Sequence, residues 1–168
     1  MTYNIVWFKR DLGVHDHAPL LQASSLAPVM CLYIVEPSLW AAEDAASQHY
    51  QFLRESLIDL DVALRKRGGS LRIEIGEAVS VLDRLWHEAP FMGLFSHQKT
   101  GNWLRFQRDL SVQRWCVSLG LAWHEFIQFG VVRRLKNRDL WQANWEALMA
   151  QPCLEAPTAV VGLLYRIL

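Results

Sequence analysis

Residues 5–17 read IVWFKRDLGVHDH, an apolar run followed at once by charged residues and a loop. The run itself, Ile5–Phe8, is β-branched or aromatic throughout, which is typical of a buried strand. Four further runs of this kind follow along the chain, at Val29–Val35, Leu71–Ile75, Phe91–Phe95 and Leu121–Ile127. The sequence therefore predicts five short strands.

Stretches with helical spacing separate these strands. The clearest one ends at Gly68-Gly69 and carries a single apolar stripe formed by Tyr50, Leu53, Leu57, Leu60 and Leu64. Similar stretches follow Glu77 and Asn102. Because parallel strands need long crossover connections, this alternation predicts an α/β fold. We expect a doubly wound, Rossmann-like parallel five-stranded sheet with helices on both faces.

The place of a ligand follows from this topology. Doubly wound sheets bind ligands outside the carboxyl ends of the strands, where the strand order reverses. For an order of 3-2-1-4-5, that point lies between strands one and four, whose ends are Lys9–Asp11 and Ser96–Thr100. Glu36, Pro37 and Trp40, at the end of the second strand, then form a neighbouring wall.

Composition limits the classes of function. The chain has 168 residues, enough for one domain, and its 17 basic and 17 acidic residues give a net charge of zero. Direct DNA binding by this chain alone is not expected, since such surfaces usually carry a basic excess. Neither a signal peptide nor an apolar stretch long enough for a membrane span is visible, so we expect a cytoplasmic protein. The three cysteines indicate neither a disulfide framework nor a zinc site.

A change of character after the fifth strand suggests a division of the chain. Residues 1–130 form the predicted α/β domain, and residues 131–168 a basic and aromatic linker with an apolar tail. The linker contains Arg133, Arg134, Lys136 and Arg138, then Trp141 and Trp145. We interpret the basic group as a solvated or interdomain face, the alternative being contact with nucleic acid phosphate. The tail, Ala159–Leu168, is a candidate surface for homo-oligomers unless something covers it.

The sequence contains only weak matches to common catalytic and metal-binding motifs. Gly93, followed by Gln98, Lys99 and Thr100, resembles a phosphate loop that lacks its second glycine, and an ordinary strand-to-helix turn is the favoured interpretation. His15 and His17 could bind a metal, but a helix-start loop capped by Asp16 is favoured. GxSxG, HExxH and GxGxxG are absent from the sequence. We predict no catalytic residue and no metal ligand.

Aromatic residues offer candidate ligand walls. Trp7 and Trp115 are expected in the core, whereas Trp40 and Trp103 follow strand ends and are expected to be half exposed.

The opening run from Val6 to His17, Val-Trp-Phe-Lys-Arg-Asp-Leu-Gly-Val-His-Asp-His, closely resembles the first strand and loop of the photolyase/cryptochrome family. The resemblance continues to about Met149 through segments that include Leu32–Pro37 with Trp40, Phe52–Leu57, Ser96–Asn102, Arg108-Asp109 with Trp115, Gly130–Leu135, and Arg138-Asp139 with Trp141.

This resemblance implies an N-terminal antenna domain that holds a light-harvesting chromophore and passes excitation to FAD in a separate helical domain. Photolyases of the family use that FAD to split pyrimidine dimers in DNA, and cryptochromes use similar parts for signalling. Residues 150–168 leave no room for a helical domain, so catalytic FAD and unaided repair are not expected on this chain. A separately encoded FAD-binding helical domain is the implied partner.

Departures from the family pattern bear on the chromophore. Gly13, His17 and Leu140 stand where the family usually has arginine, asparagine and glycine. Glu43 and Leu104-Arg105 stand where folate-binding members have a histidine and an Asn-Glu pair. Deazaflavin, FMN or FAD is therefore expected in preference to folate.

The predicted chromophore site combines the crevice expected at the carboxyl ends of the strands with the loops that the resemblance assigns to the antenna chromophore. It consists of Phe8, Lys9, Arg10, Asp11, Glu36, Trp40, Ser96, His97, Gln98 and Lys99. Two alternatives remain open: a nucleotide-binding α/β protein of another class, and a non-functional photolyase fragment.

Overall fold

The computed structural model describes residues 2–41, 47–99, 103–128 and 137–163. Strands and helices alternate along the chain. In chain order they are β1 (Asn4–Phe8), α1 (Ala18–Leu26), β2 (Val29–Val35), α2 (Pro37–Trp40), α3 (Ser47–Arg65), β3 (Leu71–Ile75), α4 (Ala78–Glu88), β4 (Gly93–His97), α5 (Trp103–Leu119), β5 (Ala122–Phe126) and α6 (Trp141–Met149), with a 3₁₀ turn over Arg138–Leu140 before α6. Among the described residues, none of the helices combines the length and apolar character needed to cross a membrane.

The five strands form one parallel sheet in the order β3-β2-β1-β4-β5. This confirms the predicted fold and strand order. The carboxyl ends of β1 and β4 are adjacent, so the order reverses between them, as the sequence predicts.

Alternate side chains of β1 enter two separate apolar clusters. Ile5 and Trp7 pack on the face covered by α4 and α5, whereas Val6 and Phe8 pack on the face covered by α1 and α3. This alternation is the two-residue period of a strand that is buried on both faces. The two clusters confirm the prediction that helices cover both faces of the sheet.

The fourth strand lies two residues later than predicted. It covers Gly93–His97, whereas Phe91 precedes the strand and packs against Tyr3 and Trp86. The error arose because Phe91 is as apolar as a strand residue, but it belongs to the core cluster on the face covered by α4 and α5. Gly93 is consequently the first residue of β4, which rules out a phosphate loop beginning there.

The predicted apolar stripe of α3 is only partly correct. Leu53, Leu57, Leu60 and Leu64 are buried, but Tyr50 is 52% exposed. Tyr50 instead makes an edge contact with Trp40.

The segment after α6 returns to the α/β domain. Val160 is 1% exposed and packs in the α1/α3 cluster, and Gly162 pairs with Val29 at the start of β2. A Cβ added at Gly69 would lie 3.0 Å from Val160 Cγ1, so the turn after α3 accommodates this segment by lacking a side chain. The expectation of an uncovered tail is therefore wrong for Val160. Val161 is 65% exposed, and residues 164–168 lie outside the described residues.

Candidate functional site

A cavity of about 400 Å³ opens beyond the carboxyl ends of β1 and β2. Its volume lies in the range of pockets that hold a small organic ligand. The lining comes from these strand ends and from α2, α3 and α5. It comprises Trp7, Phe8, Lys9, Arg10, Leu12, Tyr33, Ile34, Glu36, Leu39, Trp40, His49, Phe52, Leu53, Lys99, Arg105 and Arg108.

Six of the ten predicted site residues line this cavity: Phe8, Lys9, Arg10, Glu36, Trp40 and Lys99. The other four, Asp11, Ser96, His97 and Gln98, do not belong to its lining. Ser96 and His97 were expected after the fourth strand, but both lie within β4. Ser96 is fully buried and accepts a hydrogen bond from Trp123 Nε1 at 3.0 Å. Gln98 donates its backbone N–H to the carbonyl of Phe126 at 2.7 Å.

Asp11 is the centre of a closed hydrogen-bonded cluster. Its Oδ2 lies 2.8 Å from His17 Nε2 and 2.7 Å from His97 Nδ1, and its Oδ1 accepts the backbone N–H of Lys9 at 2.8 Å. The hydrogen bonds from both imidazoles hold the pKa of Asp11 far below its ordinary value, although burial opposes this shift. The cluster connects the loop after β1, the start of α1 and the end of β4.

The same three side chains converge closely enough to resemble a metal site. However, His17 Nδ1 accepts the backbone N–H of Leu20 at 3.1 Å, so neutral His17 carries its proton on Nε2. That proton is donated to Asp11, and no lone pair on Nε2 remains for a metal ion. His17 is thus the N-cap of α1, which corrects the assignment of that cap to Asp16. Asp16 instead accepts the backbone N–H of Leu154.

Glu36 and Arg108 form a buried ion pair at the cavity wall. Arg108 Nη1 lies 2.5 Å from Glu36 Oε1, and their side chains are 11% and 3% exposed. No described residue donates a hydrogen bond to Glu36 Oε2, although this atom is buried. Burial raises the pKa of Glu36 above its ordinary value, and Arg108 only partly opposes this effect. Because Glu36 belongs to the cavity lining, its incompletely satisfied carboxylate is a candidate acceptor for a hydrogen-bond donor of a ligand.

Two cations lie near the indole ring of Trp7, which is 1% exposed and also lines the cavity. Lys9 Nζ is 4.5 Å and Arg108 Cζ is 4.8 Å from the ring centre. Lys9 Nζ also lies 3.4 Å from Asp109 Oδ2. Burial lowers the pKa of Lys9, and Asp109 opposes this shift. Cation–ring contacts and the ion pair therefore hold Lys9, Arg108 and Trp7 in place at the inner end of the cavity.

Aromatic and aliphatic side chains form the outer wall. Trp40 ends α2 and contacts Tyr50 edge to face, with ring centres 5.5 Å apart. Phe52 and Leu53 from α3 add apolar surface. Trp40 is half buried, as predicted, whereas Trp103 is 69% exposed and is not part of the lining. Such a wall fits the face of a planar ring.

Sequence reasoning missed the contribution of α5. Arg105 and Arg108 are three residues apart and therefore share one helix face. Their spacing, together with their position just after the predicted fourth strand end, could have indicated the site. The basic group Arg133, Arg134 and Lys136 lies outside the described residues, and so does Thr100.

Comparisons with known proteins agree with this architecture. Residues 4–132 match the family model described as DNA photolyase. Cryptochrome-2 of Gallus gallus is 37% identical over 87 residues, a match that covers 51% of this chain and 15% of the relative.

Solved structures share the fold across nearly the whole chain. A bacterial class III photolyase from Agrobacterium tumefaciens superposes with a TM-score of 0.79 at 23% identity, covering 97% of this chain and 36% of that protein. An archaeal photolyase from Sulfolobus tokodaii, whose structure contains two FAD molecules, gives a TM-score of 0.77 at 20% identity over 96% of this chain and 39% of that protein. The chain thus spans well under half the length of these relatives. From the match over residues 4–132 and the shared fold, this chain belongs to the DNA photolyase family.

Proposed function

We propose that the cavity binds a light-harvesting chromophore with a planar ring, such as a deazaflavin, FMN or FAD. The observation that carries the proposal is the carboxylate of Glu36, a residue of the cavity lining whose buried Oε2 receives no hydrogen bond from any described residue. Flavin-type rings present an N–H group between two carbonyls, and this N–H is the donor that a buried carboxylate oxygen lacks.

The apolar wall supports the same ligand class. A planar ring between Phe52 and Trp40 on one side and the strand ends on the other would bury both faces. The described cavity lining contains no serine, threonine or cysteine that could act as a nucleophile. Binding and orientation of a chromophore therefore suit this lining better than covalent catalysis.

The family context supports a light-harvesting role. The Sulfolobus tokodaii photolyase is described as implying a novel light-harvesting cofactor. By analogy, the chromophore here would absorb light and pass excitation to FAD held by a helical domain, in the setting of light-driven DNA repair. We propose that this FAD-binding domain is a separate partner of the residues described here, and that these residues alone do not repair DNA.

The test is chromophore uptake. Purified protein is incubated separately with deazaflavin, FMN, FAD and reduced folate, and absorption and fluorescence are recorded on the protein peak after gel filtration. We expect near-ultraviolet or blue absorption to co-elute with the protein for at least one flavin-type ring. A protein peak that stays colourless with all four compounds would overturn the proposal.

A matched pair of variants assigns the uptake to the cavity. In Glu36→Gln the amide oxygen is expected to face Arg108, which places an N–H₂ donor where Oε2 stood. A ring N–H then meets another donor, so affinity should fall about tenfold or more. Glu55→Gln, an equivalent change on the exposed surface of α3, should leave affinity unchanged.

A further inference from the structure

The strand β3 is one edge of the sheet, and in the described part of the chain only β2 pairs with it. Its sequence over Leu71–Ile75 is Leu-Arg-Ile-Glu-Ile, which contains neither proline nor lysine. Proteins commonly place these residues on an edge strand to keep it from pairing with another chain. The sequence of β3 lacks both of these protections.

The backbone of β3 presents hydrogen-bonding groups at this edge. Gly76 donates its backbone N–H to a carbonyl of β2 at 3.0 Å. Backbone groups alternate in direction along a strand, so those of Leu71, Ile73 and Ile75 point away from β2. Asp61 Oδ1 accepts the N–H of Leu71 at 2.8 Å, which agrees with this direction. A partner strand can therefore bond to the backbone of Ile73 and Ile75 and to the carbonyl of Leu71.

Two apolar side chains of β3 are exposed at the same edge. Ile73 is 50% exposed and Ile75 is 74% exposed. Leu71, on the same face of the sheet, is half buried and packs against the α1/α3 cluster. β-Branched side chains stabilise a sheet when an apolar residue lies opposite them on a neighbouring strand. A second strand beside β3 would cover both isoleucines.

The order of residues in β3 is complementary to itself. In an antiparallel pair of β3 strands centred on Ile73, this residue lies opposite its own copy, and Leu71 lies opposite the partner's Ile75. Arg72 then lies opposite the partner's Glu74, and the same pair recurs across the two-fold axis. A parallel pair in register would instead place equal charges opposite each other, which is unfavourable.

The two charged pairs would lie where an antiparallel ladder brings side chains closest. The backbone groups of Arg72 and Glu74 point to β2, so these residues would occupy non-hydrogen-bonded positions, about 4.5 Å apart between Cα atoms. Both have partners in their own chain, since Arg72 Nε lies 2.6 Å from Glu74 Oε1 and Arg84 Nη2 lies 2.7 Å from Glu74 Oε2. Pairing would thus join two ion networks of alternating sign.

We propose that this chain forms a two-fold symmetric dimer with a second copy of itself through antiparallel pairing of β3. The other edge strand, β5, reads Ala-Trp-His-Glu-Phe and would place its glutamate opposite a tryptophan if it paired with itself in this way. Because the same surface of both copies is used, the contact closes at the dimer. The dimer lies beyond the proposed function and does not depend on a bound chromophore.

The experiment is sedimentation velocity of the full chain at protein concentrations from about 1 µM to about 1 mM. We expect a dimer whose fraction rises with concentration. Arg72→Glu and Glu74→Arg each place like charges opposite each other, so each should raise the dissociation constant about tenfold or more. An equimolar mixture of these two variants restores opposite charges at both pairs and should dimerise about tenfold more tightly than either alone. Arg114→Glu, on the exposed surface of α5, should dimerise as wild type.

A second pair of variants covers the case in which a charge variant does not fold, as checked by circular dichroism. Ile75→Lys places an ammonium group opposite the partner's Leu71 and should raise the dissociation constant about tenfold or more. Val161→Lys, at an exposed residue of the segment after α6, should leave dimerisation unchanged. The proposal is overturned by a protein that stays monomeric throughout, by species larger than a dimer, by a mixture that stays monomeric, or by a dimer that only Val161→Lys dissociates.

Discussion

Two buried carboxylates lie at the same edge of the sheet, and they are held in opposite ways. Asp11 follows β1 and accepts hydrogen bonds at both of its oxygens, which lowers its pKa. Glu36 follows β2, has one oxygen paired with Arg108 and another with no hydrogen-bond partner in the described part of the chain, and its pKa is raised. From this comparison we infer that Asp11 stabilises the fold, whereas Glu36 is available to a ligand.

The largest expected effect is on stability, at Asp11. Asp11→Ala leaves His17, His97 and the backbone N–H of Lys9 without their shared acceptor in a buried site. We expect a loss of about 3 kcal/mol or more in the free energy of unfolding, because three buried donors lose their acceptor and each unsatisfied donor costs about 1–3 kcal/mol. Urea unfolding monitored by tryptophan fluorescence measures this loss. A change below about 1 kcal/mol would contradict the role given to the cluster.

A smaller loss of stability is expected at Glu36. Glu36→Gln keeps an oxygen that can accept from Arg108 and removes a charge that burial disfavours. We therefore expect the free energy of unfolding to change by about 1 kcal/mol or less, measured by urea unfolding without ligand. A loss as large as that of Asp11→Ala would show that Glu36 is needed mainly for folding. The contrast drawn between Asp11 and Glu36 would then be wrong.

The subtlest difference between the two carboxylates is in pH dependence. Folding lowers the pKa of Asp11, so its contribution to stability is present above its ordinary value of 3.8 and decreases as the pH falls below it. Folding raises the pKa of Glu36, so its contribution is present below 4.5 and is lost as the pH rises through its pKa in the folded protein. Unfolding free energies of the wild type and Glu36→Gln between pH 3 and 7 measure both slopes.

In that measurement the unfolding free energy of Glu36→Gln should not decline above pH 4.5, and it should still fall at acid pH. Parallel profiles for the two proteins would contradict the raised pKa of Glu36.

Much of the site's location could be predicted from the sequence. The charged residues after the first strand and Glu36 after the second mark strand ends, and the alternation of strands and helices places those ends at one edge. Six predicted residues consequently line the cavity. The sequence could not show that Asp11 belongs to a closed cluster, since its partners His17 and His97 are polar residues that equally resemble ligand-binding groups.

What the sequence determined by itself is the parallel sheet, its two buried faces and the sheet edge at which the cavity opens. These features depend on local patterns, because two-residue and 3.6-residue periods decide which side chains are buried. Only the tertiary structure decided the chemistry of the site. Lys9 meets Asp109 and Glu36 meets Arg108 across 100 and 72 residues of chain, and nothing in the local pattern of either residue specifies its partner. Such pairs form only when the fold brings α5 over the ends of β1 and β2, and after this packing no described residue satisfies the second carboxylate oxygen of Glu36.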